Sequence, residues 1–130
     1  MRGDEYLVLV GAELLKIARR QIDVVARVGG EEFAIILPET GDADARQIAE
    51  SVRQAIAALR LRHPESSVVP YLTVSVGLAT ATNEHFCTRE SLAAAADRAL
   101  YEAKRTGRNR VCVAEQTIAA VNTVPASLTR

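Results

Sequence analysis

Two β-branched stretches joined by a glycine pair most constrain the fold of this chain. The first stretch runs from Asp23 to Val28, Gly29-Gly30 follows, and the second stretch runs from Glu31 to Leu37. Strand-forming residues on either side of such a pair are a strong hairpin signal. The second stretch is apolar from 34 to 37, as is typical of a strand buried on both faces. Pro38 should end it because proline has no N–H to donate.

Amphipathic helices are predicted around this hairpin. Apolar residues recur at helical spacing from Asp4 to Arg20, from Asp42 or Asp44 to Leu59, and after Thr88. Thr88 is a good N-cap residue, and Gly107 stands where a glycine often follows a helix C-terminus. Each helix therefore has one face that must pack against another element.

The order of helices and strands predicts the fold class. Residues 71–79 alternate as in a strand with one packed face, and a short strand follows from Arg110 to Ala114. The order helix-strand-strand-helix-strand-helix-strand predicts an α/β (α+β) domain over residues 1–115, with one sheet and helices packed against it. Residues 116–130 lack periodicity and are predicted to be a poorly ordered tail or linker.

Composition excludes several function classes. The 130 residues carry 16 basic and 16 acidic side chains and are 48% hydrophobic, which argues against a nucleic-acid-binding module and against disorder. The sequence contains no membrane-span or signal-peptide pattern, so we expect no membrane contact by this segment. Cys87 and Cys112 lie far apart and fit free thiols in a reducing, cytoplasmic compartment. His63 and His85 have no companion ligands nearby.

The turn Gly29-Gly30-Glu31-Glu32 is the most informative segment chemically. Glycines let a ligand approach the main chain, because no Cβ stands in the way. Two carboxylates supply hard oxygen ligands that suit Mg²⁺. The turn is thus a candidate platform for a metal–nucleotide complex, although an ordinary exposed hairpin with solvated glutamates would have the same sequence.

Four ordered blocks together resemble one known family. They are Arg27 with the Gly-Gly-Glu-Glu-Phe segment at residues 29–33, Leu37-Pro38-Glu39-Thr40, Thr73–Ala79, and Ala96–Val111. These blocks resemble the GGDEF family, the diguanylate cyclase catalytic domain, in its GGEEF variant, over about residues 3–114. The resemblance implies a fold like nucleotide cyclases and the polymerase palm, with a central, mostly antiparallel sheet flanked by helices.

The resemblance also implies an activity and its partners. Such domains bind GTP with Mg²⁺ (or Mn²⁺), and two of them meet as a homodimer to form cyclic di-GMP and two pyrophosphates. Glu31 and Glu32 match the family's metal-binding and catalytic acids. Gly29 and Gly30 match the turn beneath the nucleotide.

Three further residues match substrate contacts of the family. Asp4 matches the aspartate that hydrogen-bonds guanine, and Lys104 and Arg108 match the pair that holds the terminal phosphates. Each also has a purely structural alternative. Asp4 could serve only as an N-cap, Lys104 could only offset the helix dipole, and Arg108 could be solvated charge.

Arg20-Gln21-Ile22-Asp23 is an R-x-x-D segment that five residues separate from Gly29. It matches the family's inhibitory product site, at which cyclic di-GMP binds. An arginine fork can read guanine or phosphate, and aspartate can accept from guanine N–H groups. The alternative is an arginine that ends a helix beside an aspartate that enters a strand. Ser51 stands where the family often has a further arginine, with Arg53 nearby.

The sequence departs from the family at its start. The family's first strand, with a metal-binding aspartate and a guanine-recognising asparagine, has no counterpart before Asp4. We therefore expect an N-terminally truncated sheet with two exposed edges, and weak or no activity from this chain alone, as for a fragment of a longer protein with sensor or EAL domains. Two alternatives remain: a non-catalytic module that senses cyclic di-GMP or GTP, and a structural domain with a fortuitous GGEEF.

Overall fold

The computed structural model describes residues 3–62, 71–81, 88–114 and 125–129, without the side chains at 3, 4 and 125–129. His63, His85 and Cys87 lie outside these ranges. The described part contains three helices, α1 (Gly3–Ile17), α2 (Asp42–Ala58) and α3 (Arg89–Arg105). Its strands are β1 (Val24–Gly29), β2 (Glu32–Ile36), β3 (Ser75–Leu78), β4 (Val111–Val113) and β5 (Pro125–Thr129).

The five strands form one sheet in the order β1-β2-β5-β3-β4. All neighbours are antiparallel except β3 and β4, which are parallel. The register aligns four residues in one row across the sheet, namely Phe33, Leu128, Val76 and Val111. This mixed sheet with packed helices confirms the predicted fold class.

Strand β5 differs from the prediction for the end of the chain. The sequence predicted a poorly ordered tail over 116–130 and two exposed sheet edges, whereas 125–129 form a strand between β2 and β3. The rest of the predicted tail lies outside the described residues. Pro125 is the first residue of β5, a position at which a strand tolerates proline. The segment has no alternating pattern, and the pairing that defines it comes from residues about 50 and 90 positions away.

The helices cover the sheet from both sides. Residues of α1 and α2, including Val10, Leu14, Val52 and Ile56, share one core with Ile35, Leu37, Val74 and Val76. Helix α3 packs on the opposite face of β3, where it contacts Gly77. The prediction of a single packed face for β3 was therefore wrong, because the small residues between its large ones admit α3.

The ends of α3 agree with the sequence signals, whereas those of α1 do not. Thr88 caps α3 in a reciprocal capping box with Ser91, and Gly107 has a φ of +130° just beyond the helix. Helix α1 begins at Gly3, so Asp4 lies in its first turn rather than at the N-cap. It ends at Ile17, which leaves Arg20 in a turn. None of the described helices has the length and apolar composition needed to cross a membrane.

Candidate functional site

A bulged hairpin presents the acidic turn. Strands β1 and β2 pair from Val24 opposite Ile36 to Gly29 opposite Glu32, with a register shift between Arg27 and Gly29. The extra residue in β1 strengthens the local twist and re-aims the turn. Gly29 and Gly30 have φ values of +153° and +49°. This conformation favours glycine at both positions, so the backbone geometry itself accounts for the glycine pair.

The turn is open on the outside and anchored from within. A Cβ added at Gly29 or Gly30 would meet no atom within 4 Å, so a ligand can reach the main chain there. Arg27 Nε donates to the carbonyl oxygen of Gly30 at 2.8 Å, which closes the turn. Phe33 is buried beside Gly11 of α1 and fixes the start of β2 to the core.

The two glutamates of the hairpin differ in exposure. Glu31 lies exposed in the turn, and Glu32 is the half-buried first residue of β2. Within the described ranges, no three His, Cys, Asp or Glu side chains gather as a ready-made metal cage. Mg²⁺ is commonly held by one or two carboxylates plus the phosphates of its substrate. An adjacent carboxylate pair on an open turn fits that mode of binding.

The basic residues predicted to hold phosphate lie where α3 meets β4. Lys104 is in the last turn of α3, and Arg108 follows with a φ of +63°. The N–H of Arg108 donates to the carbonyl of Ala103 at 2.9 Å. Arg53 Nη1 of α2 donates to Asn109 Oδ1 at 3.1 Å, which ties this basic turn to the other side of the sheet.

The strand register brings the acidic and basic turns to the same end of the sheet. Phe33 and Val111 lie in one row, Glu32 directly precedes the first, and Arg108 stands three residues before the second. Three strand spacings separate β2 from β4, or about 14 Å. Anionic and cationic groups thus lie at the same end of the sheet. The side chain of Asp4 lies outside the described part of the chain.

Arg20 and Asp23 form an ion pair in the turn between α1 and β1. Arg20 Nη2 lies 2.7 Å and Nε 2.9 Å from Asp23 Oδ1, and the main-chain N–H of Arg20 donates to Oδ2 at 3.0 Å. The side-chain hydrogen bond to Asp23 raises the pKa of Arg20 above its usual value. The Asp23 side chain is 3% exposed and that of Arg20 is 44% exposed. Arg20 is therefore the accessible member of the pair.

Arg20 also lines an open groove of about 370 Å³. Ser51 of α2 lines the same groove, whereas Arg53 is directed to Glu50 and Asn109. A larger cleft of about 620 Å³ lies between α3 and β4, but no predicted site residue lines it. The chemistry of the side chains, rather than cavity size, marks the groove at Arg20 as the second candidate site.

The two candidate sites lie at opposite ends of the β1–β2 hairpin. Val24, next to Asp23, pairs with Ile36 at one end, and Gly29 pairs with Glu32 at the other. Seven residues of extended chain from Asp23 to Gly30 span about 23 Å. A ligand at Arg20 therefore does not reach the acidic turn of the same chain.

Thr40 is a site residue that the sequence did not single out. Its Oγ1 accepts a hydrogen bond from Arg20 Nη2 at 2.7 Å and donates to the carbonyl of Pro38 at 3.1 Å. The sequence signal that contains Thr40 is the Leu37-Pro38-Glu39-Thr40 block. This block was recognised only as part of the family resemblance, because no local sequence pattern connects it with Arg20.

Comparison with known proteins identifies the family. The family model described as "Diguanylate cyclase, GGDEF domain" matches residues 1–110. The chain is 37% identical to the probable diguanylate cyclase DgcT of Escherichia coli over 85% of its own length and 24% of that protein. It is equally identical, at 37%, to the response regulator PleD of Caulobacter vibrioides, over 84% of this chain and 24% of the relative. This chain therefore spans about a quarter of these relatives.

Solved structures agree with the sequence comparison. The active GGEEF domain of a Vibrio cholerae diguanylate cyclase is 32% identical, with a TM-score of 0.70 over 88% of this chain and 70% of that one. The GGDEF domain of DgcB from Caulobacter crescentus, in complex with c-di-GMP, is 33% identical, with a TM-score of 0.74 over 88% and 66%. With its GGEEF turn and its α/β fold, this chain belongs to the GGDEF family of diguanylate cyclase domains.

Proposed function

We propose that the protein containing this domain condenses two GTP molecules into cyclic di-GMP and two pyrophosphates. The observation that carries the proposal is the strand register, which brings the carboxylates of the hairpin and the basic turn before β4 to one end of the sheet. A nucleoside triphosphate with its metal ion needs both kinds of group at once. A fortuitous GGEEF in a structural domain would need no such arrangement.

In this proposal each side chain has a stated task. Glu31 and Glu32 would hold Mg²⁺ or Mn²⁺, which when bound would supply charge neutralisation at the phosphates and activation of the attacking hydroxyl. Lys104 and Arg108 hold the terminal phosphates, and the main chain at Gly29-Gly30 passes beneath the nucleotide. Asp4 hydrogen-bonds the guanine base.

The reaction requires two domains. The 3′-hydroxyl of one GTP attacks the α-phosphorus of the other, a new P–O bond forms, and the bond to the β-phosphate breaks as pyrophosphate leaves. A second, symmetric attack closes the ring. Because each domain holds one GTP, the catalytic unit is a homodimer. GTP as substrate and the free thiol of Cys112 both fit the cytoplasm.

We expect Glu32→Gln to reduce cyclic di-GMP formation by the full-length protein about 100-fold or more. The change keeps the shape of the side chain but removes the charge that holds the metal ion, a contribution of several kcal/mol to the transition state. Product formation from GTP and Mg²⁺, followed by chromatography, measures the rate. Glu90→Gln, on the exposed first turn of α3, is the matched control and should behave like the wild type. Equal rates for both variants would contradict the metal assignment.

We propose further that cyclic di-GMP binds at Arg20, with Asp23 holding the guanidinium, and inhibits synthesis. The supporting observations are the exposed arginine, its buried carboxylate partner and the groove beside them. Arg20→Ala should abolish the heat of cyclic di-GMP binding in calorimetry. It should leave GTP binding unchanged, because the hairpin turn lies about 23 Å away. Persistence of the heat in the variant would refute the product site.

The same measurements separate the second candidate function. The accessible Arg20 favours cyclic di-GMP binding independently of turnover, so a sensor without catalysis is the alternative. A sensor would bind cyclic di-GMP through Arg20 while the full-length protein formed none from GTP. A cyclase would do both, and its turnover would fall as product accumulates.

A further inference from the structure

We propose that Thr40 is a positioning residue of the product site, where its hydroxyl fixes the Arg20 guanidinium for ligand binding. The inference rests on the proposed function, because it concerns regulation at the same groove. It adds a residue from the turn between β2 and α2 to a site for which the sequence singled out Arg20 and Asp23, with Ser51 at the position of a further contact.

Three groups from two turns hold the same side of the Arg20 guanidinium. Asp23 Oδ1 accepts from Nε at 2.9 Å. The carbonyl oxygen of Pro38 and Thr40 Oγ1 accept from Nη2 at 2.9 and 2.7 Å. The three acceptors together fix both the position and the orientation of the planar guanidinium, because a single acceptor would let it rotate about one hydrogen bond.

Thr40 is well suited to this task because it is itself immobilised. Its exposed fraction is 5%, and its hydroxyl donates to the Pro38 carbonyl at 3.1 Å while it accepts from Arg20. A hydroxyl can donate one hydrogen bond and accept others. With its hydrogen committed to Pro38, the oxygen presents lone pairs to the guanidinium.

The arrangement leaves one part of the fork for a ligand. Nε and Nη2 are directed to protein acceptors, and Nη1 makes no hydrogen bond to the described part of the chain. Arg20 lines the groove beside Thr40 and Ser51. The guanine edge of cyclic di-GMP offers N7 and O6 as acceptors for such donors, and its phosphates offer others. Thr40 never needs to touch the ligand, since it acts through Arg20.

Calorimetry with cyclic di-GMP on Thr40→Val and Thr40→Ser tests this role. Valine has nearly the shape of threonine but cannot accept from Arg20, so we expect about tenfold weaker binding, the usual effect of losing a hydrogen bond to a charged group. Serine retains the hydroxyl and should bind like the wild type. Thr80→Val is the matched control: Thr80 is 4% exposed and its hydroxyl bonds Asp42, not Arg20.

Binding of GTP with Mg²⁺ distinguishes positioning from general damage. A positioning role predicts that Thr40→Val weakens the binding of cyclic di-GMP but not that of GTP. A structural role predicts that the affinities for both ligands and the midpoint of urea unfolding all decrease. If the valine variant does not fold, Thr40→Ala supplies the same comparison without a methyl group placed against the Arg20 guanidinium and the Pro38 carbonyl. Unchanged affinity in a folded variant, while Arg20→Ala abolishes binding, overturns the inference only. No binding by the wild type overturns the proposed product site and this inference with it.

Discussion

Replacing Gly77 by alanine is expected to lower the free energy of unfolding by about 3 kcal/mol or more. Gly77 lies in β3 under α3, and a Cβ there would stand 2.3 Å from the carbonyl oxygen of Ala96 and 2.3 Å from the N of Leu100. These atoms belong to the helix backbone, so no rotamer change can move them. The helix or the strand must shift, although the surfaces that face each other, including Ala96 and Leu100, are buried.

The constraint at Gly77 is space rather than backbone conformation. Its φ lies outside the range that excludes ordinary residues, in contrast to Gly29, Gly30 and Gly107. Shortening the side chain of Leu100 should not rescue the variant, because the close contacts are with main-chain atoms. The cost of a single methyl group is therefore a large fraction of the stability of a small domain.

Gly11→Ala provides the matched control. A Cβ at Gly11 would meet only the ring of Phe33, at 3.7 and 3.9 Å, which is ordinary contact. Alanine is better than glycine inside a helix by up to about 1 kcal/mol, so this variant should be as stable as the wild type or more stable. Urea unfolding followed by circular dichroism measures both. A Gly77→Ala variant within 1 kcal/mol of the wild type would show that α3 does not pack against β3 as described.

Local signals in the sequence predicted most of the elements of this fold. The hairpin was read from Gly29-Gly30, and the start and end of α3 were read from Thr88 and Gly107. In each case the physical cause lies within a few residues of its effect. A capping hydroxyl or a positive φ acts on its immediate neighbours, so it leaves a mark in the sequence.

Strand β3 shows where local patterns mislead. Its alternation of large and small residues was interpreted as a strand with one packed face. Ser75 and Gly77, however, are small because α3 approaches closely, and Ser75 is 1% exposed. A small residue on a strand indicates either a solvated face or a close backbone neighbour, and only the tertiary contact distinguishes the two.

For the candidate sites too, the sequence identified individual residues but not the contacts between distant segments. The family resemblance was enough to single out Glu31, Glu32, Lys104 and Arg108 in the sequence. Their position at the same end of the sheet, however, follows from the strand register. Thr40 was not identified, because its contact with Arg20 joins two turns 20 residues apart. Hydrogen bonds between turns leave no periodicity, so sequence reasoning alone could not have found them.

Ser127→Pro is expected to lower the free energy of unfolding by about 3 kcal/mol or more, because it breaks the strand that joins the two halves of the sheet. Ser127 pairs with Ala34 of β2 on one side and with Gly77 of β3 on the other. In an interior strand every N–H donates to one neighbour or the other, so a proline inside it always removes a ladder bond. Ser127→Ala retains the N–H and is the control.

Hydrogen exchange gives this prediction a residue-level signature. Amides of an antiparallel strand point alternately to its two neighbours, so every second amide of β2 donates to β5 and the others to β1. Loss of β5 should therefore speed exchange at alternate positions from Glu32 to Ile36, while the amides paired with β1 remain protected. Amides of β3 should show the same alternation, since those directed to β4 keep their partners. Unchanged stability and uniform protection in the proline variant would mean that 125–129 do not form the central strand, and that β2 and β3 are held together by the helices alone.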